Sequence, residues 1–402
     1  MRMIKSRIRL EACCMKIAVF NRIFSKKAGG AERYSVALVE ELAAKHEFHV
    51  FAQDINHSWP GVTYHRVSAP FRRSRWLNQL WYATVTWWQT RPASGQAFDI
   101  VHSHENTWHG NVQTVHVLPI KHNLLNGKAG WAKARAWLKV LTSPRLLAYL
   151  ALERGRFSKQ AHRHIIVTSP SLSHIFNTAY PNSGNALSVI TPGVAKASLA
   201  VDIVASKRSA KRLLGVPEDS FSIAFVGNRY DIKGLPALLL ALQALPARVN
   251  LLVVGNAEQV AMYQAQADKL GIGQRVRFLG AVNGVELVYQ AADCLAHPTL
   301  EDTFAMVVLE AMSYGLPVVV SREKYCGISG LLADGLNALI LDEPKDVAAL
   351  ARQLQRIVES DELRVKLGSE ALKFADGFAW DQIAGEQERV YVEANKKHRS
   401  YR

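Results

Sequence analysis

The segment Asp293–Ser321, DCLAHPTLEDTFAMVVLEAMSYGLPVVVS, leaves a chain few choices of fold. It reads as a short strand, a loop, an amphipathic helix and a second strand. Ala291 to Ala296 is small and apolar, and His297-Pro298 stops it. Glu301, Asp302 and Thr303 then stand where a helix would begin, a place that favours acids and hydroxyls because its first N–H groups lack partners. The helix should continue over Met306 to Met312 and end at Gly315 and Pro317, before the buried strand Val318-Val319-Val320. A helix start at the carboxyl edge of a parallel sheet is an anion site. Two acids with seven residues between them, Asp302 and Glu310, mark that helix as the place where chemistry is expected.

The rest of the chain repeats this alternation. Lys16 to Asn21 is a first strand, followed by a loop with Gly29-Gly30, a helix from about Ala31 to Lys45, and a strand over Phe48 to Phe51. Further strands are predicted at 97–104, 112–117, 164–169 and 187–190. A polar, basic connector covers 195–217, and the pattern restarts with 222–235, 250–256 and 276–282, each followed by a helix. One amphipathic helix is expected over 347–368 and another from Trp380 to about Lys396. Strands rich in β-branched residues, alternating with helices, indicate a parallel sheet covered on both faces. The expected fold class is therefore α/β, with two Rossmann-like doubly wound domains facing a cleft. The expected boundaries are an extension over 1–14, a first domain over 15–200, a second over 201–380, and a helical tail over 381–402 packing back on the first domain.

Charge separates the two halves. Residues 1–200 hold 26 Lys and Arg against 9 Asp and Glu, a balance of +17, whereas residues 201–402 hold 23 against 25, a balance of −2. Such asymmetry points to an acidic partner for the first half, or to a merely solvated basic face. The stretch 71–92 interleaves four arginines with four tryptophans, and 121–163 is also basic and aromatic, with Pro144 splitting it into two helices. These stretches fit contact with an anionic membrane surface, or else amphipathic helices with tryptophans in the core. No apolar run reaches the ~18 residues of a membrane span. Residues 1–14 lack the apolar core of a secretory signal. The four cysteines have no metal-site spacing, and a reducing, cytoplasmic compartment fits them.

Smaller signals are ambiguous. Gly29-Gly30 opens a helix after a strand but lacks the full dinucleotide fingerprint, so it is either a phosphate turn or an ordinary glycine turn. His116 lies near a strand's carboxyl end, where open α/β sheets face their ligands, and His104 is its rival.

Taken together, KIAVFN with GGAER (29–33), FVGNRYDIKGL (225–235), LLVVGN (251–256), VRFLG (276–280) and HPTLEDTFAMVVLEAMSYGLPVVVS (297–321) resemble the retaining glycosyltransferases of family 4, of the two-Rossmann-domain type called GT-B. The resemblance spans roughly 15–395, and within the family the lipopolysaccharide-core glucosyltransferases look nearest. It implies transfer of a sugar, with retained configuration and without a metal, from a nucleotide-diphosphate donor, with UDP as one candidate and the base left open. The implied acceptor is an anionic glycan or glycolipid of the bacterial cell surface, met at the inner face of the cytoplasmic membrane. Lys233 and Arg229 would neutralise the diphosphate, aided by the N–H groups of Phe304, Ala305 and Met306 and by Gly29 and Gly30. Glu310 would bind the ribose. Asp302, or Glu301 beside it, would hold the sugar, and His116 would contact it. The family's Phe-Gly is Phe304-Ala305 here, its first Glu is Asp302, and its Gly-Arg is Gly227-Asn228-Arg229. No metal or further cofactor is implied.

A nucleotide-sugar epimerase of the same fold, or a non-catalytic nucleotide-sugar sensor, would share the second domain. Nucleic-acid binding fits the charge, but the bases lie on α/β segments without a recognition motif.

Overall fold

The computed structural model describes residues 14–26, 29–160, 162–195, 203–282 and 284–399. The stretch 1–13 and parts of the connector and the basic carboxyl end lie outside the described residues. The chain forms two compact units. One comprises the chain up to Ile166, Asn177–Ser188 and everything from Ala384; the other comprises Val167–Phe176 and Val189–Ile383.

The first unit carries a seven-stranded sheet built from β1 (Lys16–Phe20), β3 (Glu47–Ala52), β5 (Val62–Arg66), β6 (Ile100–Ser103), β7 (Val112–Val115), β8 (His164–Val167) and β9 (Ala186–Val189), in the order β5-β3-β1-β6-β7-β8-β9. Two-residue strands β2 (Ile23–Phe24) and β4 (Asp54–Ile55) pair separately. The pairs β1–β3, β3–β5, β1–β6 and β6–β7 are parallel. Strand order therefore reverses between β1 and β6, and the loops leaving those two strands flank the switch point.

The second sheet runs β12-β11-β10-β13-β14-β15 through β10 (Phe221–Gly227), β11 (Val249–Gly255), β12 (Val276–Gly280), β13 (Cys294–His297), β14 (Val318–Ser321) and β15 (Leu339–Leu341), all parallel. Successive side chains of a strand face opposite sides. Ile223, Phe225, Leu251, Val253 and Val319 fill one core, while Ala224, Val226, Leu252, Val254, Val318 and Val320 fill the other. Both faces are dry, so these strands read as unbroken apolar runs. The switch point lies between β10 and β13. The loops it exposes are 228–234 and 298–305.

The expected α/β class with two doubly wound parallel sheets is what the chain adopts, but the strands β2, β4, β5 and β15 were not expected, and three helical stretches differ. The helix after β13 is Met306–Ser313 and starts later than expected from Glu301 to Thr303. The helix expected over 347–368 is two, Val347–Glu359 and Asp361–Asp376, because Ser360 leaves helical geometry and its hydroxyl accepts from Leu363 N–H as a cap. The stretch 121–163 holds three helices, Ile120–Leu125, Gly130–Leu141 and Pro144–Phe157, the last starting at Pro144.

In the tryptophan-rich helix Arg75–Thr90 the buried face is Asn78, Gln79, Tyr82, Ala83 and Thr86. Trp81, Trp87 and Trp88 stand outward, Trp88 at 59% exposure. Their rings are thus surface features and not core. No helix among the described residues is long and apolar enough to cross a membrane.

Candidate active site

Of the residues expected to do chemistry in the second unit, Lys233 and Asp302 meet at its switch point. After β10 the chain turns through Arg229 into one helical turn, Tyr230–Lys233, closed by Gly234 at φ 85°. Left-handed geometry there suits glycine and stops the turn. Tyr230 is fully buried and anchors the turn edge-to-face on Tyr263, with ring centroids 5.3 Å apart. Gly227 leaves the space that the Lys233 stem fills, since a Cβ there would lie 2.8 Å from Lys233 Cγ.

The loop after β13 is tied to this turn by Leu300 N–H donating to Ile232 O at 2.7 Å and by the Thr299 hydroxyl on the same carbonyl at 3.2 Å. Lys233 Nζ then reaches Asp302 Oδ2 at 2.6 Å and Glu301 O at 2.9 Å. His297, fully buried at the end of β13, presents Nε2 to the same Oδ2 at 3.3 Å. Asp302 Oδ1 accepts from Ala305 N–H at 2.8 Å and Phe304 N–H at 3.3 Å.

A carboxylate offers about four acceptor positions, and here all four are taken. Burial alone would raise the Asp302 carboxyl, but the His297 hydrogen bond and the Lys233 charge outweigh it and hold it well below the usual range. Asp302 is therefore a charged organiser of the loop. Glu301 is exposed at the surface beside it.

The same bonds correct one expectation. The Phe304 and Ala305 N–H groups, expected to face a phosphate, are already spent on Asp302. Ala305 has φ 72°, the one left-handed non-glycine among the described residues, and it delays the helix to Met306. Glu310 lies half-buried in that helix and accepts at Oε2 from the Tyr289 hydroxyl at 3.0 Å. Arg229 is not brought into the cluster. Its guanidinium is 68% exposed and meets Asp231 at 3.4 Å, a surface pair worth little.

In the first unit, Gly29 caps the helix Gly30–Leu42 in extended geometry. Glu32, in the first turn, lies so close that a Cβ on Gly29 would fall 2.8 Å from Glu32 Oε2. An acid here already complements the helix dipole and would meet an incoming phosphate with like charge. Arg22 clamps the two loops of this switch point, its N–H and Nε donating to Glu105 at 3.1 and 2.9 Å.

His116, just past β7, and its rival His104 are one hydrogen-bonded pair, His104 Nδ1 to His116 Nε2 at 2.9 Å. Behind them His102 is held by the Tyr391 hydroxyl and the Thr114 hydroxyl, both at 2.7 Å. Burial first, then the nearby Arg156 cation, pushes His116 down to about 3. His102 is also lowered to about 3, by burial, then His116 and Arg156. His109 reaches about 3 through burial and Arg163, and burial takes His104 well below the ordinary value. These rings are neutral at physiological pH.

Their titration has a consequence for stability. The folded values are depressed below 6.5, so the unfolded chain binds more protons between pH 6.5 and 3. The stability these groups contribute is complete above pH 6.5 and is lost as pH falls toward about 3. Each proton costs about 1.4 kcal/mol per pH unit. Eight of the nine tryptophans precede residue 167, so indole fluorescence reports this unit. Denaturant unfolding followed by fluorescence should lose at least about 2 kcal/mol between pH 6.5 and 5. A flat profile would show that the rings are not held neutral.

Sequence reasoning missed His297 and Tyr289. His297 reads only as a strand end, and Tyr289 as one more aromatic on an apolar helix. An acid expected on an apolar helix was the available hint that a donor such as Tyr289 must exist nearby.

Against this geometry the comparisons with known proteins are unambiguous about family. Residues 206–374 match the model of glycosyl transferases group 1, and residues 28–197 match that of glycosyltransferase family 4. The chain belongs to the group 1, family 4 glycosyltransferases of GT-B fold. It is 27% identical over 327 residues to a D-inositol 3-phosphate glycosyltransferase of Corynebacterium urealyticum, covering 74% of this chain and 72% of the relative. Other relatives of that name, from further Corynebacterium species, are matched over 53% to 56% of their length. The lipopolysaccharide glucosyltransferase WaaG of Escherichia coli K12 is 26% identical over 249 residues, 61% of this chain and 66% of WaaG. A crystal structure of WaaG superposes with TM-score 0.79 at 21% identity, over 94% of this chain and 99% of that one. Anabaena HepE in complex with UDP-glucose shares the fold at TM-score 0.67 and 19% identity, over 94% of this chain and 99% of that one.

Proposed function

We propose that this chain moves a sugar from a nucleotide-diphosphate donor to a hydroxyl of a glycan or glycolipid acceptor, with retention and without a metal ion, in the building of a bacterial cell-surface polysaccharide or lipopolysaccharide. The observation that carries the reading is Lys233 held 2.6 Å from Asp302 at the switch point of the second sheet, in a chain of this family. A fixed cation at that edge is what a departing diphosphate requires. The nucleotide sugar bound by HepE supports the donor class, and UDP is the first base to try.

On donor binding, the diphosphate takes the Lys233 ammonium as counter-ion, with exposed Arg229 as a second, mobile grip. The Asp302 Oδ2 that Lys233 covers is then released to accept from a sugar hydroxyl. Glu310 accepts from the ribose hydroxyls. The Met306 N–H adds the positive end of its helix. Asp302, held by four donors, is a poor covalent nucleophile. We therefore favour direct attack by the acceptor oxygen on the face from which the phosphate leaves, the acceptor's proton passing to the leaving phosphate. His116 and the Gly29-Gly30 turn lie at the carboxyl edge of the first unit's sheet, where such folds bind ligands. We assign a neutral hydrogen-bonding role to His116 and only a supporting one to the glycines.

The deciding experiment incubates the protein with a panel of nucleotide sugars, with and without lipid-linked glycans, and follows nucleotide release. Release that depends on acceptor supports the reading. Epimerisation without transfer, or tight binding without release, overturns it.

The acceptor is expected at a membrane surface. In the helix Gly130–Leu141 only Ala136 and Val140 are buried. Trp131 is 87% exposed, Leu138 62% and Leu141 65%, on a helix that also carries exposed Lys133, Arg135 and Lys139. Outward apolar rings flanked by bases suit an anionic interface, and not a cation-free solvent face. Co-sedimentation with phosphatidylglycerol vesicles should be strong at 50 mM salt and at least about tenfold weaker at 500 mM, where screening is nearly complete. Equal binding to neutral phosphatidylcholine vesicles would contradict the electrostatic part.

A further inference from the structure

Tyr289 lies on the helix Glu286–Ala291 and is 1% exposed. Its ring leans on Tyr314, centroids 5.5 Å apart at 41°, within the core beneath the helix Met306–Ser313. Its hydroxyl has two acceptors in reach, Glu310 Oε2 at 3.0 Å and Val307 O at 3.3 Å. The charged oxygen is both nearer and the stronger acceptor, so the proton goes to Glu310.

We propose that Tyr289 is a positioning residue for Glu310, pinning one carboxylate oxygen so that the carboxylate meets the vicinal hydroxyls of the donor's ribose in a fixed orientation. This rests on the reading of Glu310 as the ribose acceptor. A glutamate has three rotatable bonds to the carboxylate, and ordering them at the moment of binding weakens affinity. A buried, unbranched ring fixed on its own helix has already met that entropy cost. The hydroxyl therefore transmits the rigidity of the core to a half-buried acid 21 positions along the chain. A tyrosine merely satisfying its own hydroxyl would need only the Val307 carbonyl.

The test compares Tyr289→Phe, Glu310→Gln and the double variant with wild type. The ligand is whichever of UDP, GDP and ADP binds the wild type most tightly, together with its 2′-deoxy counterpart. Wild type should prefer the ribonucleotide by about tenfold, the worth of a hydrogen bond to a charged group. Tyr289→Phe keeps the ring, so its melting temperature should stay within about 3 °C of wild type. Its preference for ribose should nevertheless fall about fivefold, with donor KM rising alike and kcat little changed. In the Glu310→Gln background the tyrosine change should add nothing. An unchanged ribose preference in Tyr289→Phe overturns the proposal and leaves the donor site standing. An unchanged preference in Glu310→Gln overturns the ribose reading itself, and the proposal with it.

Discussion

Replacing Lys233 with methionine should lower kcat/KM for sugar transfer by about two to three orders of magnitude, the usual effect of removing one preorganised charge from a transition state. Methionine keeps most of the stem that packs beside Gly227 and deletes the ammonium. The loss should fall mainly on kcat, because charge on the diphosphate builds as the sugar–oxygen bond breaks. Some stability will go too. Asp302 loses the donor at 2.6 Å on Oδ2 while retaining His297 and the two N–H bonds. The pair is about one-fifth exposed on each side, so its loss should cost only about 1–2 kcal/mol, between the surface and buried limits. For a unit of this size that is a fall in melting temperature of roughly 2–4 °C per kcal/mol. A folded variant with activity within a few-fold of wild type would remove Lys233 from the mechanism.

Replacing Gly234 with alanine should be among the most destructive single-methyl changes in the second unit. Two independent costs meet there. The backbone has φ 85°, which an L-residue adopts at a cost of about 1–2 kcal/mol. The added Cβ would also lie 2.0 Å from the Pro298 carbonyl oxygen, a backbone atom of the loop that carries Asp302. That contact cannot be relieved by a rotamer change, so the two switch-point loops must part, and the total loss should exceed about 4 kcal/mol. Gly271→Ala separates the two costs, since Gly271 has φ 70° but nothing within 4 Å of a Cβ. It should lose only about 1 kcal/mol. Trp380 is the one tryptophan of this unit, so its fluorescence, isolated by replacing the other eight or by an indole label, reports the change. Equal losses in the two variants would mean that the close approach to Pro298 is not real.

Five strands of the second sheet were legible because runs such as Ile223–Val226 and Leu251–Val254 are apolar on both faces, whereas the three-residue edge strand Leu339–Leu341 is too short to stand out. The first and last members of the acid pair were legible by spacing, yet their environments were not. Lys233 and Asp302 are 69 positions apart, and only the folded switch point makes them partners. The helix after β13 was placed too early because three cap-forming residues precede it. Asp302 does accept from backbone N–H groups, but from Phe304 and Ala305 ahead of the helix, which begins only after a left-handed alanine that no propensity would suggest. The tryptophans of 71–92 posed the opposite difficulty. An amphipathic helix with its tryptophans in the core was one reading, and only the neighbouring elements reveal that Tyr82 and Gln79 take the inside while Trp87 and Trp88 remain outside. His104 and His116 looked like rivals in the linear chain and are partners in space.

The central claim, that Lys233, Asp302 and Glu310 form the donor site of a nucleotide-sugar transferase, is met most directly by one measurement. Wild type, Lys233→Met and Glu310→Gln are each supplied with the preferred nucleotide sugar and a lipid-linked glycan, with EDTA present throughout. Nucleotide diphosphate released and sugar attached to acceptor are counted in the same tube. The account predicts equal counts for wild type despite the chelator, a fall of about a hundredfold or more in Lys233→Met, and a fall of about tenfold in Glu310→Gln at donor below saturation. Transfer that persists in both variants within a few-fold of wild type would contradict it.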